Sequence, residues 1–207
     1  IKNSDIVISM LPVKYHILIA KSCLKLKKNL VTASYVSDDM KKLDKEAKKN
    51  KLIFLNEIGL DPGIDHMSAK KIIDNLQSKG NVISSFKSYT GGLISNESDS
   101  NAWNYKFTWN PRNVILAGQG KPAKYIENNR NKSIAYKNLF KNTWNIDFKG
   151  FGKFEVYANR NSLKYKEKYG FNNIKTMMRG TIRKPNFCNG WNTVSYTHLT
   201  LPTTPVV

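Results

Sequence analysis

The 207 residues are 40% hydrophobic, enough to bury an ordinary core, and no apolar run reaches the roughly 18 residues of a membrane-crossing helix. A globular protein without a membrane partner is therefore expected. The formal net charge of +19 invites a nucleic-acid reading, since clustered cations release counterions from phosphates. Yet only five of the cations are Arg, and no helix-turn-helix, zinc-finger spacing or aromatic RNA-binding signature accompanies them, so no nucleic-acid partner is predicted and a basic nucleic-acid binder is kept only as an alternative.

The chain starts at Ile1 rather than Met, with no signal-like segment, so a truncated N-terminus is expected. Ile6–Leu11, a continuous apolar run ended by Pro12, predicts a strand buried on both faces, as in parallel sheets. Val13–Leu26 sets Ile17, Ala20 and Leu24 on one face against Lys21, Lys25 and Lys28, which is helical periodicity. Cys23 lies among the apolar residues of that helix, far in sequence from Cys188. A disulfide framework has no support, and a reducing, cytoplasmic compartment is expected.

Leu30–Thr32 predicts a second strand, Asp38–Asn50 a charged helix with apolar Met40, Leu43 and Ala47, and Leu52–Leu55 a third strand. This βαβαβ alternation implies a parallel sheet with right-handed crossovers, whose ligands bind outside the carboxyl ends of the strands. Function is thus expected in the loops Ser9–Pro12, Ala33–Ser37 and Glu57–Asp65. A helix is predicted from Gly63 to about Ser78, and Val82–Tyr89 alternates like a half-exposed strand of a different sheet. A turn at Gly91–Gly92, a polar loop to Asn104, an aromatic strand Tyr105–Trp109 and a short helix opened by Pro111 follow. Phe154–Tyr157 and Thr176–Arg183 read as strands, separated by a helical turn within Ser162–Tyr169. In Val194–Val207 charge vanishes and Thr and Pro dominate, so this tail is expected to be non-native, and His198 carries no weight.

The expected fold is α/β: the C-terminal part of a Rossmann-type parallel sheet over residues 1–58, then an α+β substrate domain with a mixed sheet over 59–192, with 193–207 as the tail. A complete dinucleotide site needs a Gly-rich turn whose backbone N–H groups approach the pyrophosphate. None is present; Gly118–Gly120 and Gly150–Gly152 are lone pairs of the kind found in ordinary turns. The informative segment is NEIGLDPGIDHM at Asn56–Met67. Gly59 and Gly63 permit close backbone approaches and Pro62 stiffens the turn, so a ligand could contact the main chain there. Asp61 and Asp65 flank the helix start, where capping and dipole compensation are the plain roles. His66 could serve as an acid or ligand, although a lone His in a first helical turn is more often structural.

This segment resembles the glutamate-forming saccharopine dehydrogenases, or saccharopine reductases. In order along the chain, SDIVISMLP at Ser4–Pro12, VTASYVSDDM at Val31–Met40, SYTGGL at Ser88–Leu93, YKFTWNPRNVILAGQG at Tyr105–Gly120, YANRNSLKY at Tyr157–Tyr165 and RGTIR at Arg179–Arg183 have counterparts in that family. Residues 121–150 show little likeness. The resemblance implies NADP(H) as cofactor, contacted by Met10, Leu11, Ala33, Ser34, Leu60, Asp61, Pro62 and Asn110. It implies saccharopine as the small-molecule substrate, contacted by Ser34, Tyr35, Asp61, Arg160 and the Thr181, Ile182 and Arg183 stretch, with Asp61 and Tyr35 as candidates for proton handling and no metal.

Saccharopine bears three carboxylates, for which a planar Arg fork is the preferred partner, so Arg160 and Arg183 are natural clamps. Where the family often carries Cys, this chain has Thr90, which argues against a thiol role. A reductase of another amine–aldehyde adduct, of the carboxynorspermidine or homospermidine type, is the alternative enzyme. Homodimerisation is left open.

Overall fold

The computed structural model describes residues 1–108, 111 and 121–199, with the side chains of 195–199 excepted. The chain divides into two compact units, Ile1–Asn75 and Leu76–Val207.

The first unit is built as β1 (Ile6–Ser9), α1 (Val13–Leu26), β2 (Asn29–Thr32), α2 (Asp38–Lys42), α3 (Asp44–Lys49), β3 (Phe54–Leu55) and the start of α4 (Ile64–Ser78). The three strands are parallel in the order β1-β2-β3. Register aligns Val7, Leu30 and Phe54 in one row and Ile8, Val31 and Leu55 in the next. Because successive side chains of a strand point to opposite faces, these rows have different fates. The first packs with Ala20 and Cys23 of α1 and with Met40 of α2 into the core. The second is uncovered: Ile8 is 65% and Leu55 44% exposed, and Ile6 on the same face of β1 is 51% exposed. Burial of β1 on both faces, expected from its apolar run, is therefore corrected. Among the described residues, helices cover one face only.

Lys27 adopts a left-handed conformation at the end of α1, and the Lys28 N–H donates to the Cys23 carbonyl (2.8 Å), closing the helix. Ser37 caps α2 by accepting from the Met40 N–H (3.1 Å). The predicted helix Asp38–Asn50 is interrupted at Leu43, whose ψ of −8° leaves the helical region and separates α2 from α3.

The second unit contains β4 (Ser85–Thr90), β5 (Ala123–Glu127), β6 (Arg130–Ile134), α5 (Tyr136–Leu139), β7 (Thr143–Phe148), β8 (Gly152–Ala158), α6 (Tyr165–Lys168), β9 (Thr176–Arg183) and α7 (Phe187–Leu199). They form a mixed six-stranded sheet, with β4 parallel to β9 and the path β6-β5-β9-β8-β7 antiparallel. Gly180 of β9 sits where a Cβ would lie 2.5 Å from Val156 Cγ1 and 2.9 Å from Tyr89 Cδ1, so only glycine lets these neighbours close in.

Two strand expectations change here. Val82–Ser84 precede the strand, which starts at Ser85. Tyr105–Thr108 form no strand; the Tyr105 ring packs instead on Phe187 (4.7 Å) and Phe107 on Trp191 (6.2 Å), so the aromatic alternation anchors α7 rather than a ladder. Strands β5, β6 and β7 were unforeseen. Asn128 and Asn129, both at positive φ (49° and 62°), make the two-residue turn between β5 and β6, a geometry Asn tolerates and hairpins favour. Helix α7 continues to Leu199, across the boundary drawn at 192/193.

Candidate functional site

In the first unit the carboxyl ends of β1 and β2 carry Ser9 and Thr32, and the expected loops follow them. The third loop, after β3, closes on itself. Gly59 N–H donates to the Pro62 carbonyl (2.9 Å), Ile64 N–H to Gly59 (2.9 Å) and Asp65 N–H to Leu60 (3.0 Å). Gly63 has a φ of 149°, and a Cβ there would run into the Gly59 backbone. The two glycines thus permit each other's close approach, which folds the loop back on itself. Asp65 Oδ1 accepts from the Gly63 N–H (2.9 Å), so this carboxylate ties the turn to α4.

Two further contacts join the loops. The Tyr35 hydroxyl donates to Asp61 Oδ1 (3.0 Å). Glu57, held at a φ of 61°, returns its N–H to the Ser34 carbonyl (3.1 Å) and accepts the Val36 N–H on Oε1 (3.2 Å). His66 Nε2 lies 3.6 Å from Asp65 Oδ2, and Asp61, Asp65 and His66 can bring one ligand atom each within 4.8 Å of one another. Those carboxylates already engage Tyr35 and Gly63, so the cluster is knitted by the protein itself.

One residue in this unit went unsuspected. His16, in the first turn of α1, is buried. Its Nδ1 is 2.8 Å from Ser9 Oγ, and its Nε2 is 2.8 Å from Ser34 Oγ and 3.2 Å from Thr32 Oγ1. Burial pushes its pKa below the ordinary imidazole value, favouring the neutral ring. The sequence signal available was a His four residues after Pro12, with hydroxyl residues ending each neighbouring strand.

Around these loops Met10 is 78% and Leu60 74% exposed, with Leu11 and Tyr35 also exposed. Met10, Leu11, Ala33, Ser34, Tyr35, Leu60, Asp61 and Pro62 therefore all fall on loops at the strand ends of one unit.

The second unit holds the other candidates. Arg160 follows β8 at a φ of 44°, exposed, and its carbonyl accepts from the Lys124 N–H (2.7 Å). Thr181, Ile182 and Arg183 end β9, opposite Tyr157, Val156 and Glu155. Ile182 packs in the core. Arg183 is only 7% exposed. Its guanidinium lies 5.0 Å from the rings of both Tyr105 and Phe187 and donates through Nη1 to the Gly92 and Ile182 carbonyls (3.3 and 3.2 Å), while Nε has no hydrogen-bond partner among the described residues. The two aromatic faces and the carbonyls thus hold the guanidinium by cation–π attraction and hydrogen bonds. Arg179, likewise buried, sits 4.6 Å from the Tyr165 ring. Thr90 pairs with Thr181 in the β4–β9 register. Asn110 lies outside the described residues.

Burial also raises the Tyr157 hydroxyl above its ordinary pKa, opposed by Arg183 and by a hydrogen bond with Thr181. It raises the Cys188 thiol, helped by the Glu155 carboxylate. Both cysteines are free and buried, and no helix among the described residues is long and apolar enough to cross a membrane.

Comparison with known proteins finds the saccharopine dehydrogenase NADP binding domain over residues 1–55 and the saccharopine dehydrogenase C-terminal domain over residues 59–203. The chain is 43% identical over 190 residues to an alpha-aminoadipic semialdehyde synthase of Arabidopsis thaliana, covering 90% of this chain and 18% of that protein. It is 39% identical over 188 residues to the saccharopine dehydrogenase [NADP(+), L-glutamate-forming] of Pyricularia oryzae, covering 90% of this chain and 41% of that one. Among solved structures, apo saccharopine dehydrogenase (L-Glu forming) from Saccharomyces cerevisiae superposes with a TM-score of 0.84 at 36% identity, over 90% of this chain and 42% of that one. The chain thus spans less than half the length of each of these relatives.

Proposed function

The chain belongs to the saccharopine dehydrogenase family, and from that premise we propose that it forms part of an NADP(H)-dependent enzyme interconverting saccharopine with glutamate and 2-aminoadipate 6-semialdehyde. The observation that carries this reading is the Tyr35–Asp61 hydrogen bond on loops at the carboxyl ends of parallel strands, where α/β sheets bind their ligands.

In the forward direction the amine of glutamate condenses with the aldehyde, water leaves, and the C=N bond takes a hydride on carbon and a proton on nitrogen. Bound NADP(H) supplies the hydride chemistry. The residues present fit such a cofactor: Met10, Leu11 and Leu60 offer exposed apolar surface for a flat ring, and Ser34 offers a hydroxyl for a ribose or amide. Asp61, held by Tyr35, is the group suited to keep or pass the proton that accompanies the hydride. Arg160 and the caged Arg183 suit the substrate carboxylates, and positioning supplies much of the rate. A reducing, cytoplasmic setting is supported by the two free, buried cysteines.

The test is an assay of the full-length gene product that carries this chain. Saccharopine-dependent formation of NADPH is the expected result. No turnover of saccharopine, or preferred turnover of a carboxynorspermidine-type adduct, would overturn the substrate assignment.

A further inference from the structure

His16 connects three elements at the point where the proposed ligand site begins. It belongs to α1, yet its ring reaches Ser9 at the end of β1 through Nδ1 and Ser34, two residues beyond β2, through Nε2, each at 2.8 Å. Thr32 Oγ1 stands 3.2 Å from the same Nε2 and accepts the Ser34 N–H (3.3 Å). Ser9, His16 and Thr32 are buried, so this is an enclosed polar network, the kind that is costly to leave partly satisfied. A neutral imidazole has one donor nitrogen and one acceptor nitrogen. In either tautomer one nitrogen serves Ser9, and the other meets Ser34 at 2.8 Å, closer than Thr32 at 3.2 Å, so the Ser34 oxygen is tethered from the β1 side. From Ser34 the chain passes directly to Tyr35, and the Ser34 carbonyl accepts the Glu57 N–H (3.1 Å). A shift of Ser34 would therefore be felt in the two loops that meet at Asp61.

We propose that His16 is a positioning residue: it makes no contact with ligand but fixes the Ser34 hydroxyl in the orientation that meets cofactor or substrate. The inference rests on the reading of Ser34 as a ligand contact. Its geometry predicts an asymmetry between two conservative replacements. The amide of Asn reaches the place of Nδ1, so His16→Asn keeps the Ser9 bond and releases Ser34. The amide of Gln reaches the place of Nε2, so His16→Gln keeps Ser34 and releases Ser9.

The experiment compares the full-length protein with its His16→Asn, His16→Gln and Ser34→Ala variants, and with both double variants, in melting temperature, kcat and the KM values for saccharopine and NADP. His16→Asn is expected to raise a KM by about tenfold, the effect of one lost hydrogen bond near a ligand, with kcat little changed. His16→Gln is expected to restore that KM. Ser34→Ala should raise the same KM as His16→Asn and add nothing to it in the double variant.

Equal KM values in the Asn and Gln variants would overturn the inference. So would a Ser34→Ala effect that His16→Asn fails to reproduce, while leaving the ligand reading of Ser34 standing. An unchanged KM in Ser34→Ala would overturn that reading and the inference with it. If His16→Asn does not fold, His16→Ala takes its place: a KM raised as far as in Ser34→Ala is expected, and a KM equal to that of His16→Gln overturns the tether.

Discussion

The Tyr35 hydroxyl donates to Asp61 across 3.0 Å, linking positions 26 residues apart. A tyrosine bound to a carboxylate in this way orients it, and under the proposed function the pair handles the proton that accompanies the hydride. Tyr35→Phe in the full-length protein should lower kcat/KM about tenfold, the scale of one orienting hydrogen bond. Asp61→Asn should lower kcat by about a hundredfold, the lower end of general acid–base contributions. Steady-state kinetics check both. Full activity in Asp61→Asn would remove the carboxylate from the chemistry.

Arg183 is expected to matter for binding more than for folding. Its buried Nε lacks a partner among the described residues, so the cost of burying this charge offsets its bonds to the Gly92 and Ile182 carbonyls and its two ring contacts. Arg183→Met should therefore melt close to the parent. Loss of a charge-assisted carboxylate contact should nonetheless raise the KM for saccharopine by about a hundredfold. A normal KM would mean that the guanidinium serves the aromatic cage alone.

Gly180→Ala should destabilise the second unit by about 1–3 kcal/mol, the usual cost of forcing a methyl into a packed core. The added Cβ meets Val156 Cγ1 and Tyr89 Cδ1, both inside ordinary contact distance. Denaturant unfolding followed by tryptophan fluorescence reads this. Unchanged stability would mean that these side chains swing aside freely.

Cys188 predicts an alkaline limb. Its thiol pKa is raised in the fold by burial and by Glu155, so above the unfolded value of about 8.5 the unfolded chain loses a proton that the native chain keeps. Stability is thus fully present below that pH and falls as pH rises above it. Cys188→Ala should flatten the fall between roughly pH 8.5 and 10. In the native parent protein, thiol reagents should leave Cys188 unmodified at neutral pH, since the thiolate is the reactive form.

Much of the first unit was legible because local signals there agree. The run IVISM, the periodic face of α1 and the Pro and Gly of the third loop each point to one structure. Two of its details were not. Burial on both faces of β1 is a property of neighbours, which a single strand does not encode. The His16 network joins residues from three separate segments, none unusual alone. In the second unit β6 has a largely exposed sequence, RNKSI, with no apolar face to betray a strand. The aromatic alternation misled in the opposite way, since Tyr105 and Phe107 pack onto α7 rather than pair in a ladder. The candidate site was readable as a set of positions, whereas the cage around Arg183 depends on Tyr105 and Phe187, which lie far apart in sequence.

The uncovered row Ile8–Val31–Leu55 bears on how this polypeptide behaves in the test tube. Exposed Ile8 and Leu55 stand on a sheet in which, among the described residues, β1 pairs with a strand on one side only. The thirty-four cations repel copies of the chain at low ionic strength and are screened as salt is added. Purification of the isolated polypeptide should accordingly succeed in dilute buffer and fail by precipitation in concentrated salt.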